Sequence, residues 1–174
     1  MLWDSLARPT LRRARTWERS SSLQSLERCG PKAVALYQYW NARRGIRSMP
    51  SRTDIDPLEM RPWLPRLTLV DVGPEGKQFT YRLVGTQIVD LLGTNPTGRP
   101  VESAWPDECV DVVLEGYRDV LENRAPVFCQ QSCRWLEDQE PSAWAMHLPL
   151  SSDGVEVDMI LAYLSDNIGM LSQL

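Results

Sequence analysis

Few residues in this chain have the chemistry to act on a substrate, and their spacing works against each use. His147 is the only histidine, so any imidazole base or haem ligand must be this one. It sits beside Met146 in an alternating apolar segment, with the two side chains on opposite faces of a strand. Ser132, Ser142 and Cys133 lie near it in sequence, but none sits in a nucleophile motif. We therefore read His147 as a structural or surface residue, and no catalytic residue is assigned. Cys129, Cys133 and His147 lack the closely spaced pairs of a zinc site, so no metal is assigned. Gly93-Thr-Asn-Pro-Thr-Gly98-Arg99-Pro100 mimics a phosphate loop and fails on mechanism. Arg99 replaces the lysine, Pro100 offers no hydroxyl for magnesium, and Pro96 lacks the N–H a phosphate cradle needs.

The four cysteines, Cys29, Cys109, Cys129 and Cys133, are read as reduced and mostly buried. On one strand, Cys129 and Cys133 stand roughly 13 Å apart, beyond disulfide reach.

The elements that would position these groups form one folded unit. The chain has 174 residues, 43% hydrophobic and 24% charged, enough for one domain with a core. No apolar run is long enough to span a bilayer and no secretory signal is evident, which points to a cytoplasmic protein. The net charge of −4 is uneven. Residues 1–30 hold six arginines against three acids, whereas the remainder is acidic. An acidic body argues against nucleic acid as the main partner. Residues 1–31 read as a basic extension, partly flexible or helical, and Gly30-Pro31 marks its end.

Helical spacing of Ala33, Leu36, Tyr37 and Trp40 predicts a helix over 32–44, stopped by Gly45. Asp56-Pro57-Leu58-Glu59 reads as a short helix start. Two strands, 66–72 and 78–84, form a hairpin, with Phe79, Tyr81 and Leu83 expected on one face. Thr86 can cap a two-turn helix that ends at Gly93. The clearest helix runs over 107–124, with one apolar stripe and Pro126 as its stop. Strands over 127–136, 143–150 and 155–164 close the chain. The predicted fold class is α+β, a five-stranded antiparallel sheet with helices packed on one face and an N-terminal helical extension.

The segments LYQYWNARRG (36–45), DIDPLEMRPWLPRLTLVDV (54–72), FTYRLVGTQIVDLLG (79–93) and DGVEVDMILA (153–162) resemble one bacterial family. It is a family of stand-alone PAS-like proteins long catalogued as a domain of unknown function. FTYRLVGT followed by Thr97-Gly98 is the most specific part. The resemblance covers about residues 32–166 and leaves 167–174 as a tail. It implies a sensory or regulatory role with a cavity for a small molecule, and supplies no reaction or ligand. The cofactor is left unknown. Haem-binding relatives usually offer a histidine from the long helix, which has none here. Flavin photosensors need an Asn-Cys-Arg motif, which Cys109 in DECVD does not match. A haem or flavin sensor and an enzyme using His147 are the alternative readings.

The space between the sheet and the helices is the expected pocket. Its candidates are Tyr81, Leu83, Val89, Leu92 and Val113, together with Tyr117, Met146, Leu148, Met159 and Leu161. The competing account is an ordinary packed core. Arg82 is read as an outward arginine paired with Asp71 or Asp158, or else as a polar rim reading an anion. Expected partners are a signalling protein, met through the outer sheet face or the N-terminal helix, and a second copy of the chain. The homodimer is argued from apolar residues on helix 32–44 and the arm.

Overall fold

The computed structural model describes residues 15–132 and 142–165. Its centre is a six-stranded antiparallel sheet in the order β1-β4-β5-β6-β2-β3. The strands are β1 (Arg15–Ser20), β2 (Leu67–Val72), β3 (Phe79–Val84), β4 (Val127–Ser132), β5 (Ser142–Leu150) and β6 (Met159–Leu164). The helices are α1 (Leu23–Arg28), α2 (Pro31–Arg44), α3 (Thr86–Leu92) and α4 (Asp107–Asn123).

Local chemistry sets the boundaries. Pro31 opens α2, and Gly45 ends it at φ +58°. Gly93 closes α3 in the left-handed conformation. Gly85, rather than Thr86, sits at the start of α3. A Cβ at Gly85 would come within 2.1 Å of the Leu64 carbonyl oxygen, so only glycine lets the two segments cross. A capping box lies just before Asp56, with Ser51 and Asp54 bonded reciprocally. Residues 57–63 are turns, where a short helix was expected.

Three features of the sheet differ from the sequence reading. The first is β1, a strand inside the basic extension. It pairs with β4 from Arg15↔Ser132 to Ser20↔Phe128. Arg19 reaches from it to Glu115 (3.1 Å) and Asp119 (3.2 Å) on α4. Part of the arm's positive charge is thus answered by the protein's own acidic helix. The sheet has six strands, one more than the five expected.

The second is that helices cover both faces. His147 pairs with Val127, and Met146 with Phe128, so alternation places His147 and Phe128 on opposite faces. The Tyr117 ring of α4 meets His147 at 5.0 Å. The Tyr37 ring of α2 meets Phe128 at 5.9 Å. Trp40, on α2, is buried and donates its indole N–H to the Pro149 carbonyl of β5 at 2.9 Å. The expectation of helices on one face fails because α2 folds back over the other. Ala33, Leu36 and Trp40 are spent on this packing. They provide no dimer surface, and the outer sheet face is not open at α2.

The third is a β-bulge in the β2–β3 pair. Leu69 faces Leu83, but Val70 faces Tyr81, so the register slips by one residue around Arg82. Tyr81 and Leu83 therefore lie on opposite faces.

If α2 is part of the core, Trp40→Ala costs about 3–5 kcal/mol in guanidinium unfolding. The exposed Leu58→Ala should stay within about 0.5 kcal/mol of the parent. Equal, small effects for both substitutions would show that α2 does not cover the sheet.

Candidate functional site

A cavity of about 60 Å³ lies between α4 and the sheet. Thr68, Tyr81, Gln131, Ala145, His147 and Ala162 line it from the sheet. Val113 and Tyr117 of α4, Ile88 of α3 and Trp105 close it from above. Most of this lining surface is apolar. Gln131 and His147 add polar atoms at the β4–β5 end, while the hydroxyls of Thr68, Tyr81 and Tyr117 and the Trp105 indole share one corner.

That corner is built around Tyr81. Its backbone is clamped on the free side of β3 by the segment that mimics a phosphate loop. Tyr81 N–H donates to the Arg99 carbonyl (3.0 Å), and Gly98 N–H donates to the Tyr81 carbonyl (2.6 Å). Gly98 takes φ +83°, a conformation that favours glycine. The Asn95 side chain accepts from both the N–H and the hydroxyl of Thr97, which holds the turn. The loop is thus a structural brace for Tyr81. The Trp105 indole N–H donates to the Tyr81 hydroxyl at 2.8 Å. The Tyr117 hydroxyl is hydrogen-bonded to those of Tyr81 and Thr68. Burial pushes the Tyr81 phenol up to about 12, against the opposing hydrogen bond from Trp105. Burial, and next the Tyr81 neighbour, push Tyr117 well above its ordinary value. Both stay protonated.

His147 is buried, and burial lowers its pKa to about 4. Its Nδ1 lies 4.0 Å from the Cys129 sulfur. Burial, then the neighbouring Cys29, raise the Cys129 thiol well above its ordinary value. This is the reverse of an activated cysteine, which needs a stabilised thiolate. Cys29 and Cys129 are free and buried, whereas Cys109 is disulfide-bonded. The reading of four reduced cysteines therefore fails at Cys109. The spacing argument addressed only Cys129 and Cys133, and Cys133 lies outside the described residues.

Gly116 explains how α4 comes so close. A Cβ there would lie 2.4 Å from Cε1 and 2.6 Å from Nδ1 of His147. The imidazole fills the place a side chain would take. Gln131 adds a second tie, donating its amide N–H to the Val112 carbonyl at 3.0 Å.

Of the ten residues singled out from sequence, Tyr81, Val113 and Tyr117 line this cavity. Leu83, Val89, Leu92, Met146, Leu148, Met159 and Leu161 do not. Leu83 is turned away by the bulge. Met146, Leu148, Met159 and Leu161 share the α2 face, following the pairs Met146↔Tyr163, Leu148↔Leu161 and Leu150↔Met159. Val89 and Leu92 stay on α3, where Ile88 meets the cavity instead. Arg82 is exposed and pairs with Asp71 at 3.3 Å, away from the cavity. Among the lining residues missed, His147, Thr68, Gln131, Ala145 and Ala162 belong to the smaller and more polar set of the alternation.

An antiparallel sheet with a cavity under one long helix defines a class of α+β domain. The PAS domain family matches residues 30–165, and the chain belongs to that family. β1 and α1 precede the matched region. Among solved structures, an RNA-binding light-oxygen-voltage receptor aligns with a TM-score of 0.44 and 13% identity. The alignment covers 69% of this chain and 36% of that receptor, so the chain spans about a third of its length. Comparison with curated proteins found no match. Among the described residues, no helix is long and apolar enough to cross a membrane.

Two measurements test the packing at His147. The unfolded imidazole titrates near 6.5 and the folded one near 4. Between these values the unfolded state binds the extra proton, so stability falls as pH falls. Unfolding free energy should drop by about 2 kcal/mol between pH 7 and pH 5. His147→Gln should remove most of that drop, and an unchanged pH slope in this variant would refute the assignment. Gly116→Ala gains about 1 kcal/mol of helix propensity but overpacks against the ring at about 1–3 kcal/mol, so it should destabilise. In a His147→Ala background the same change should become neutral or stabilising.

Proposed function

We propose that this chain is a sensory and regulatory module that takes a small molecule beneath α4 and acts on a signalling protein by direct contact. The observation that carries this reading is the cavity itself, whose largely apolar walls hold a hydrogen-bonded cluster of Tyr81, Tyr117, Thr68 and Trp105 at one end. Binding sites are commonly built this way, with few polar groups fixing orientation. In this reading residues 32–166 are the module, 1–31 an accessory extension and 167–174 a tail. The work is cytoplasmic, and nucleic acid is not the partner.

The chemistry supports a role without turnover. His147 is neutral and buried, and Cys129 beside it is held as a thiol, so neither is poised as base or nucleophile. A haem or flavin sensor fits less well. The cavity holds about 60 Å³, against roughly 300–1,000 Å³ for pockets that take drug-sized ligands. Protein contacts, including pairing of two copies, fall to the remaining surface, where Leu23, Ile46, Leu58 and Val155 are exposed.

The test is a small-molecule screen read by amide chemical shifts, with Ala162→Leu as a variant that fills the cavity. A true ligand shifts residues around Val113 and Ala145 and loses at least about tenfold in affinity in the variant. Hits that bind the variant equally well would place binding elsewhere and remove this reading. Solution mass across a concentration series reports whether the chain pairs with itself.

A further inference from the structure

The cavity also limits what it can hold. Resting on its reading as a ligand site, we infer that the guest is a small neutral molecule. It carries a hydroxyl or carbonyl group, placed against the hydroxyl cluster, on a short apolar remainder.

Volume sets the size. At about 60 Å³ the cavity falls well below the roughly 300–1,000 Å³ of pockets that take drug-sized ligands, so the guest is small. The distribution of polar atoms sets where the guest's functional group lies. The Tyr81, Tyr117 and Thr68 hydroxyls and the Trp105 indole N–H form one connected cluster. Hydroxyls both donate and accept, so the cluster suits an alcohol or a ketone equally. Away from it, Ile88, Val113, Ala145, Ala162 and Leu164 present carbon side chains, and only Gln131 and His147 add polar atoms at the β4–β5 end. A second polar group among these carbon side chains, out of reach of Gln131 and His147, would be buried without a partner.

Charge sets the neutrality. The lining contains no aspartate, glutamate or lysine, so an ammonium group finds no counter-ion. Its one formally charged residue is Arg66, half-buried, which donates to the Ser165 carbonyl at 3.0 Å. An anion would have to compete for that guanidinium and leave the hydroxyl cluster unused. The same burial that keeps His147 neutral and the tyrosines protonated also opposes an ionised guest.

The test compares probes of one length. Labelled protein is titrated with n-butanol and butanone, and in parallel with butyrate and n-butylammonium, following amides of Val113, Ala145 and Ala162. The neutral pair should give saturable shifts, with the charged pair at least about tenfold weaker. Tyr117→Phe, which keeps the ring and removes the hydroxyl, should weaken n-butanol about five- to tenfold. Its circular dichroism and unfolding midpoint check that the fold persists. Thr68→Val serves as the second probe of the cluster if Tyr117→Phe does not fold. Butyrate or n-butylammonium binding as well as n-butanol would overturn the inference while leaving the ligand site in place. No saturable shift from any of the four probes, with no hit from the wider screen, would remove both.

Discussion

The backbone of α4 rests on the imidazole of His147, with no side chain between them at Gly116. That contact sets the depth at which the helix lies on the sheet, and much of the site follows from it. At this depth Tyr117 reaches Phe79 at 5.4 Å and His147 at 5.0 Å, while its hydroxyl meets those of Tyr81 and Thr68. A bulkier residue at 116 would raise the helix and separate that cluster. The imidazole in turn must stay neutral, because it is packed against helix backbone, an aromatic ring and a thiol, with no carboxylate among these contacts. The residue that looked most like catalytic chemistry is a spacer.

The second constraint is that the sheet buries both faces. Each face needs its own set of inward side chains, and β5 supplies two. Trp144, Met146, Leu148 and Leu150 form one set, while Ala145 and His147 belong to the other. The larger, more apolar set packs on the α2 side, where Trp40 and Tyr37 fill the remaining space. The smaller set faces α4. Small side chains under a helix leave room, and the cavity lies where Ala145 and Ala162 replace larger residues.

This explains which parts of the molecule were legible in sequence. Helices α2 and α4 were readable because helical spacing, Pro31, Gly45 and Pro126 all agree. The β2–β3 hairpin and β5 followed from alternation, and the α+β class from the order of elements. Face assignment did not follow, since alternation tells two faces apart without saying which helix covers which. The most apolar set, including Met146 and Leu161, was therefore given to the wrong side. The bulge at Arg82 left no mark beyond one arginine in a strand, yet it turned Leu83 away from Tyr81. β1 escaped because RTWERS is charged and its pairing to β4 is made by backbone groups, which no side-chain pattern reports. The role of the loop from Gly93 to Pro100 as a brace for Tyr81 depends on long-range backbone bonds, which no local motif reports.

Magnitudes decide what holds α4 over the cavity. Its ion pairs to Arg19 are partly exposed, and such pairs contribute at most about 1 kcal/mol each. Burying an aliphatic side chain contributes about 1.5–3 kcal/mol, and α4 buries Val112, Val113, Leu114 and Val120 as well as Tyr117. The apolar stripe therefore dominates, and the pairs to β1 adjust orientation. Val113 and Tyr117 belong to this stripe and also roof the cavity. Any guest beneath α4 accordingly touches the residues that fix the helix. A guest that fits adds contacts to the stripe and tightens α4, whereas one too large must separate it from the sheet. Occupancy of the cavity would thus act on the same side chains that hold the helix in place.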